Sequence, residues 1–321
     1  MKLYRNDSTD PYFNLAAEQY LLDTEPEPVF MLWRNDRAVV LGRNQNAYAE
    51  INRPFAEENG IAVVRRLTGG GAVFHDLGNL NFTFIVPRDE CPELDFARFA
   101  LPIAQALKKL GVPAELSGRN DLTAGGRKFS GNAQCVYNGK VMHHGTLLFS
   151  ADLSRLSGAL RVDEEKYRSK GIKSVRSRVV NLSEYLPQMD VLGLKQVLED
   201  SFPGEMTAFS AEQTAGINRL KREKYAAWEW NYGASPAFGT QAKKRFPYGS
   251  VELSFSADRG VLTAVRFEGD YFGTAPVGEL ENTLTGCRLI RDELTARLAQ
   301  AGVGQYIAGA EPEEIAALFG V

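Results

Sequence analysis

Cysteine is scarce in this 321-residue chain. Cys91, Cys135 and Cys287 stand far apart, with neither the paired spacing of a disulfide scaffold nor metal-type spacing. That usage fits a reducing compartment and points to the cytoplasm. Histidine is as rare, with three residues, and no cysteines or acids accompany them at ligand spacing, so a zinc site fits poorly. An excess of positive charge is also missing: 37 Lys and Arg against 40 Asp and Glu leave a formal charge of −3. This argues against bulk binding to nucleic acid or to an anionic membrane. No apolar run approaches the length of a membrane span, and the opening "MKLYRNDSTDPYFN" has no apolar signal core. Repeats and low-complexity tracts are absent. The familiar nucleotide loops, G-x-x-x-x-G-K-[S/T] and a G-x-G-x-x-G that opens a helix, do not occur.

What is present is an ordinary globular composition, 44% hydrophobic and 24% charged, on a chain long enough for a large domain with a smaller companion. "DPYFNLAAEQYLLD" reads as a helix that Asp10 caps and Pro11 opens. "VFMLWR" and "AVVLG", separated by "NDR", read as a β-hairpin. The strand "IAVVRRL" follows, then three glycines, the strand "AVFHD", a turn at "LGN" and the strand "NFTFIV". Strands in such close succession favour a mixed or antiparallel sheet over a doubly wound parallel one. Residues 95–110 form an amphipathic helix, and "DLTAGGRKFSGNAQCVYNGKVMHHGTLLFS" is a meander with turns at "GG" and "NG". A polar, basic segment at 163–180 reads as a long loop. The Gly-, Pro- and Ser-rich stretch "EWNYGASPAFGTQAKKRFPYGS" marks a boundary, giving domains 1–245 and 246–321. The second opens with a hairpin turning at Asp258–Gly260 and continues mainly as helix.

The chemistry concentrates in "RRLTGGGAVFHDLGN", residues 65–79. Glycine loses the most backbone entropy on folding, so a triplet beside a strand needs a reason. Bare backbone lets a ligand reach amide N–H groups or lets two elements approach closely, and a lone triplet is more often simply a strand-to-strand turn. Here Arg65 and Arg66 precede it, and alternation along a strand sends at least one toward whatever the loop faces. Amide donors with a guanidinium suit a phosphate. Lys128, in "GRKFSGNAQ", is a second candidate, although an isolated lysine is usually a surface residue. In "HHGTLL", alternation turns one of His143 and His144 to the core and the other to the ligand side.

Taken in order, "RRLTGGGAVFHDLGNLNFTF", "GRNDL", "GRKFSGNAQ", "HHGTLLFSADLSRL", "GIKSVRSRVVNLSE" and "WEWNYGASPAF" resemble the lipoate–protein ligase A family over essentially the whole chain. The resemblance implies an α+β fold: a biotin/lipoyl ligase-like core, a largely antiparallel sheet flanked by helices, and a small α+β accessory domain. It implies activation of lipoate with ATP to lipoyl-AMP, then transfer to one lysine of a carrier. Arg66 and the amides of Gly71, Ala72, Val73 and Phe74 match the family's ATP-binding positions. Lys128 matches the lysine that meets both the lipoate carboxylate and the nucleotide phosphate, and His75 and His144 are candidate lipoate contacts. Mg²⁺ is expected with the ATP, held through phosphate oxygens, with Asp121 a candidate ligand and no metal-binding residue otherwise assigned. Val73, Phe74, Leu80 and Phe82 are candidates for an apolar slot, with core packing the commoner role for such residues. The basic loop resembles one that closes on the adenylate. The implied partners are lipoyl domains of 2-oxoacid dehydrogenase E2 subunits and the glycine cleavage H protein, and a monomer is expected. A cysteine-dependent octanoyl or lipoyl transferase of the same fold, a non-catalytic binder of lipoyl domains and a biotin-directed enzyme stay as alternatives. Cys135 lies seven residues past Lys128, so alternation puts the two on opposite strand faces unless a bulge intervenes.

Overall fold

A computed structural model describes residues 1–321 except 44, 92–94, 119, 153–157, 161–178, 236–237, 270 and 272–274. Two compact units divide it: Met1–Arg43 with Gly60–Ala227, and Asn44–Asn59 with Trp228–Val321. The boundary expected at 245/246 falls at the end of the strand Phe238–Phe246, within the second unit.

The first unit contains β1 (Lys2–Arg5), β2 (Val29–Trp33), β3 (Ala38–Leu41), β4 (Ala62–Arg65), β5 (Val73–His75), β6 (Asn79–Pro87), β7 (Ala114–Ser117), β8 (Asp121–Ala124), β9 (Arg127–Tyr137), β10 (Lys140–Leu148) and β11 (Met206–Ala208). Eight of them form one sheet in the order β11-β1-β2-β6-β10-β9-β8-β7. Its pairings are antiparallel except β11/β1 and β1/β2. The remaining three form a small sheet, β4-β3-β5, with β3 parallel to β4 and antiparallel to β5. The expected hairpin of "VFMLWR" and "AVVLG" is therefore absent, since β2 and β3 belong to different sheets. Every residue of β2 is buried, as suits an interior strand whose two faces are both covered.

Strand alternation in β6 explains the layering. Leu80, Phe82 and Phe84 enter an apolar core with Phe99, Ile103 and Leu107 of α2 (Phe96–Lys109) and Leu194 and Leu198 of α3 (Val191–Ser201). Asn79, Asn81 and Thr83, which alternate with them, are also buried and hydrogen-bonded, although Asn79 Oδ1 has no partner among the described residues. Thr83 bonds a residue of α1 (Pro11–Thr24). That helix starts as the sequence indicates: the Asp10 carboxylate accepts from the amides of Tyr12 and Phe13, a cap typically worth about 1 kcal/mol. The "GG" and "NG" turns also form, with Gly125, Gly126, Asn138 and Gly139 all at positive φ.

The second unit is an antiparallel meander of β12 (Phe238–Phe246), β13 (Gly249–Asp258) and β14 (Val261–Gly269). Its apolar core joins these strands to Leu280 and Leu284, Leu294 and Leu298, and Ile315, which lie on helices 277–284, 291–301 and 312–316. The expected hairpin turn is present, with Arg259 and Gly260 both left-handed. Residues 44–59 belong here because Tyr48 enters this core and Arg53 Nη1 donates to the Leu289 carbonyl at 3.1 Å.

Candidate active site

A cavity of about 230 Å³ opens in the first unit between the glycine segment and the β9–β10 hairpin. Arg66, Gly70, Gly71, Ala72, Val73 and His75 line one side, while Lys128, Gly131, Asn132, Ala133 and His144 line the other. Leu15, Trp33 and Val40 add an apolar wall. Most of the residues singled out in the sequence meet here. Phe74, Leu80 and Phe82 do not line the cavity; the last two lie in the core under the sheet. Of the expected adenylate loop at 163–180, residues 163–178 lie outside the described residues.

The two arginines have separate tasks. Arg65 is fully buried and donates through Nη1 to the carbonyls of Gly42 and Arg43, each at 3.0 Å. Arg66 grips the loop itself. Its Nη2 donates to the Gly69 and Gly71 carbonyls at 2.7 and 2.9 Å, Nη1 to Val40 at 3.2 Å, and Nε to Thr68 Oγ1 at 2.9 Å. Burial lowers both guanidinium pKa values to about 10, so both remain charged at neutral pH.

The triplet divides by role. Gly70 has φ of +98°, and a Cβ on it would lie 2.9 Å from Arg66 Nη2. Gly69 and Gly71 would meet nothing within 4 Å, so Gly71 offers its bare face to open cavity. The loop also requires a glycine that the sequence reading missed: a Cβ on Gly42 would collide with the Gly70 carbonyl.

On the opposite wall, the β8/β9 register shifts at Leu122/Thr123. Thr123 pairs with Lys128, Leu122 with Ser130 and Asp121 with Gly131. Phe129 is the extra residue and enters the core. The bulge puts Lys128 on the cleft face together with Gly131, Ala133 and Cys135, against the alternation expected for an unbroken strand. Lys128 Nζ pairs with Asp121 Oδ1 at 2.7 Å, both side chains partly exposed. Gly131 gives the ammonium its floor, since a Cβ there would lie 3.0 Å from Nζ. Cys135 shares the face without the chemistry of a nucleophile: burial pushes its thiol up to about 12, against a small opposing effect of Arg43.

The histidines separate as alternation requires. His143 is fully buried, stacked on Phe99 at 5.0 Å, and receives a hydrogen bond from Gln134 Nε2 at its Nδ1. His144 lines the cavity, with Nδ1 2.9 Å from Glu18 Oε1. His75 Nδ1 bonds Asn35 Nδ2 at 3.1 Å, which leaves the proton on Nε2. That buried N–H has no hydrogen-bond partner among the described residues. Burial, reinforced by Arg66 and His144, lowers His75 to about 3 and keeps it neutral. Glu18 and Asn35 also escaped the sequence reading. The signal was faint: one acid inside the apolar run "LAAEQYLL". Among the described residues no three His, Cys, Asp or Glu side chains could share a metal, and no helix is long and apolar enough to cross a membrane.

Comparison with known proteins bears directly on this geometry. Residues 10–203 match the family model for the lipoyl protein ligase A/B catalytic domain, and residues 235–319 match that for the bacterial lipoate protein ligase C-terminus. Lipoate-protein ligase LplJ of Bacillus subtilis (strain 168) is 40% identical over 315 residues, covering 95% of each chain. Among solved structures, the bipartite lipoate protein ligase of Thermoplasma acidophilum, described with its E2 lipoyl domain, is 28% identical with a TM-score of 0.65. It covers 73% of this chain and 96% of its own. A lipoate-protein ligase A bound with ATP is 26% identical, with a TM-score of 0.62, covering 73% of this chain and 98% of its own.

Proposed function

The chain belongs to the lipoate–protein ligase family, and from that premise we propose how its cleft performs the family's reaction. The enzyme activates lipoate with ATP to lipoyl-AMP and passes the lipoyl group to a lysine of a lipoyl domain. The carboxylate oxygen attacks the α-phosphorus, the new P–O bond forms, and the bond to pyrophosphate breaks. The carrier amine then attacks the acyl carbon, AMP leaves, and the amine gives up a proton. Both steps join or separate anions, so positioning and fixed positive charge dominate the catalysis.

The observation that carries the assignment is that the glycine loop and the Lys128 ammonium line one cavity. Lys128 is the catalytic residue in this reading. One point charge neutralises the lipoate carboxylate and the α-phosphate as they meet, and it stabilises the tetrahedral oxyanion during transfer. Arg66 and the amides of Gly71, Ala72 and Val73 hold the nucleotide, Arg66 by fixing the loop, while Phe74, off the cavity wall, continues the same segment into β5. Leu15, Trp33 and Val40 supply an apolar wall for the acyl chain, and Val73 lies beside them. His75 offers its unpartnered Nε2–H and His144 its ring edge to the same ligand.

Mg²⁺ requires little of the protein when phosphates supply most of its oxygens. Asp121, a half-exposed carboxylate next to Lys128, fits that modest demand. When bound, the ion would neutralise charge on the phosphates. We assign catalysis to the first unit, which carries every site residue, and the accessory role to the second. Lipoyl domains of E2 subunits and the H protein are the acceptors in this reading, and the enzyme works as a monomer in the cytoplasm. Three free cysteines support that reducing location.

Incubation with lipoate, ATP and an apo-lipoyl domain tests the assignment. The acceptor should gain one lipoyl group on one lysine, and only when ATP is present. An unmodified acceptor, or equal modification without ATP, would refute it.

A further inference from the structure

We infer that Glu18 and Thr68 are positioning residues of the nucleotide site, acting through His144 and Arg66 along one buried hydrogen-bond relay. The inference rests on the reading that ATP binds at the glycine loop.

The relay is continuous and its polarity is fixed at both ends. Arg66 has no acceptor atom, so its Nε–H donates to Thr68 Oγ1 at 2.9 Å. An ionised carboxylate only accepts, so His144 Nδ1–H donates to Glu18 Oε1 at 2.9 Å. The other ring nitrogen, Nε2, lies 2.7 Å from Thr68 Oγ1. Thr83 closes the far end by donating to Glu18 Oε1 at 2.6 Å and is itself held by Trp33 Nε1 at 2.8 Å.

All these side chains are buried. A buried carboxylate and a buried guanidinium each need compensation, and here a hydroxyl and an imidazole connect the two. The other arms of Arg66 hold the carbonyls of Gly69 and Gly71. Neither Glu18 nor Thr68 lines the cavity, so both can influence the nucleotide only through the groups they hold. Removing the Thr68 hydroxyl strands a buried Arg66 N–H and frees the guanidinium to turn, and the loop then loses its internal brace. Replacing Glu18 by Gln removes the charge that anchors the other end.

The test is ATP affinity by calorimetry alongside KM for lipoate, on folded full-length variants. Thr68→Val and Glu18→Gln should weaken ATP binding by about 10- to 100-fold, the range for a lost hydrogen bond to a charged group. KM for lipoate should rise as well, because both residues also hold His144, and Thr68→Ser should restore ATP affinity. If Thr68→Val fails to fold, Glu18→Gln and Thr68→Ser decide the matter. Unchanged ATP affinity, or an equal loss for both substrates that serine does not rescue, would overturn the relay. Arg66→Ala separates the two levels. Loss of ATP binding there but not in Thr68→Val or Glu18→Gln refutes only the relay, whereas retained binding refutes the nucleotide site itself.

Discussion

Gly42 and Gly70 meet with no side chain between them: a Cβ on the first would lie 1.9 Å from the carbonyl oxygen of the second. Gly42→Ala must therefore push the glycine loop away from the end of β3. It should cost about 1–3 kcal/mol, as overpacking does, and weaken ATP binding with it.

Gly71→Ala makes the contrasting case. Its methyl meets no protein atom within 4 Å and its φ is not left-handed, so folding is unharmed or slightly favoured. The methyl enters the cavity, so ATP affinity should fall while the thermal midpoint holds. A midpoint that drops more for Gly71→Ala than for Gly42→Ala would show that the open face has been misread.

His75 and His143 make stability depend on pH. Burial lowers each to about 3, so between that value and the usual 6.5 the unfolded chain binds more protons than the folded one. Their contribution is complete above pH 6.5 and is lost as pH falls toward 3. The slope is about 1.4 kcal/mol per pH unit for each ring. Urea unfolding between pH 7 and 5 should show it, and His143→Phe should remove about half of it. A wild-type stability that stays flat over this range would contradict the neutral, buried assignment.

Cys135 shares a strand face with Lys128, yet its thiol is pushed up to about 12. Changing Cys91, Cys135 and Cys287 together to Ala should leave ATP-dependent lipoylation largely intact. Transfer from an acyl-carrier donor without ATP should fail. A covalent acyl-enzyme in the intact mass spectrum, lost in Cys135→Ala, would favour the transferase.

Local chemistry was legible in the residues themselves. The Asp10 cap, the "GG" and "NG" turns and the division of labour between His143 and His144 all follow from short-range rules. Pairing across the chain was not. Nothing in "VFMLWRNDRAVVLG" says that β2 joins β6 while β3 joins β4 and β5, because the choice depends on which distant strands cover a run that is apolar on both faces. The single extra residue at Phe129 was equally silent, and it reverses the face on which Lys128 sits relative to Cys135. Glu18 became a site residue only when β6 brought Thr83 and β10 brought His144 against α1. Gly42 mattered only once the loop had folded over it.

Lipoate-dependent exchange of label between pyrophosphate and ATP, run on the wild type and on Lys128→Ala, tests the central claim most directly. Lys128 is partly exposed and leaves no core cavity, so the variant should melt with the wild type. The wild type should exchange only when lipoate is present, and the variant should fall by roughly 100-fold or more, the scale for losing a preorganised charge contact. Near-wild-type exchange by a folded Lys128→Ala enzyme would contradict the account.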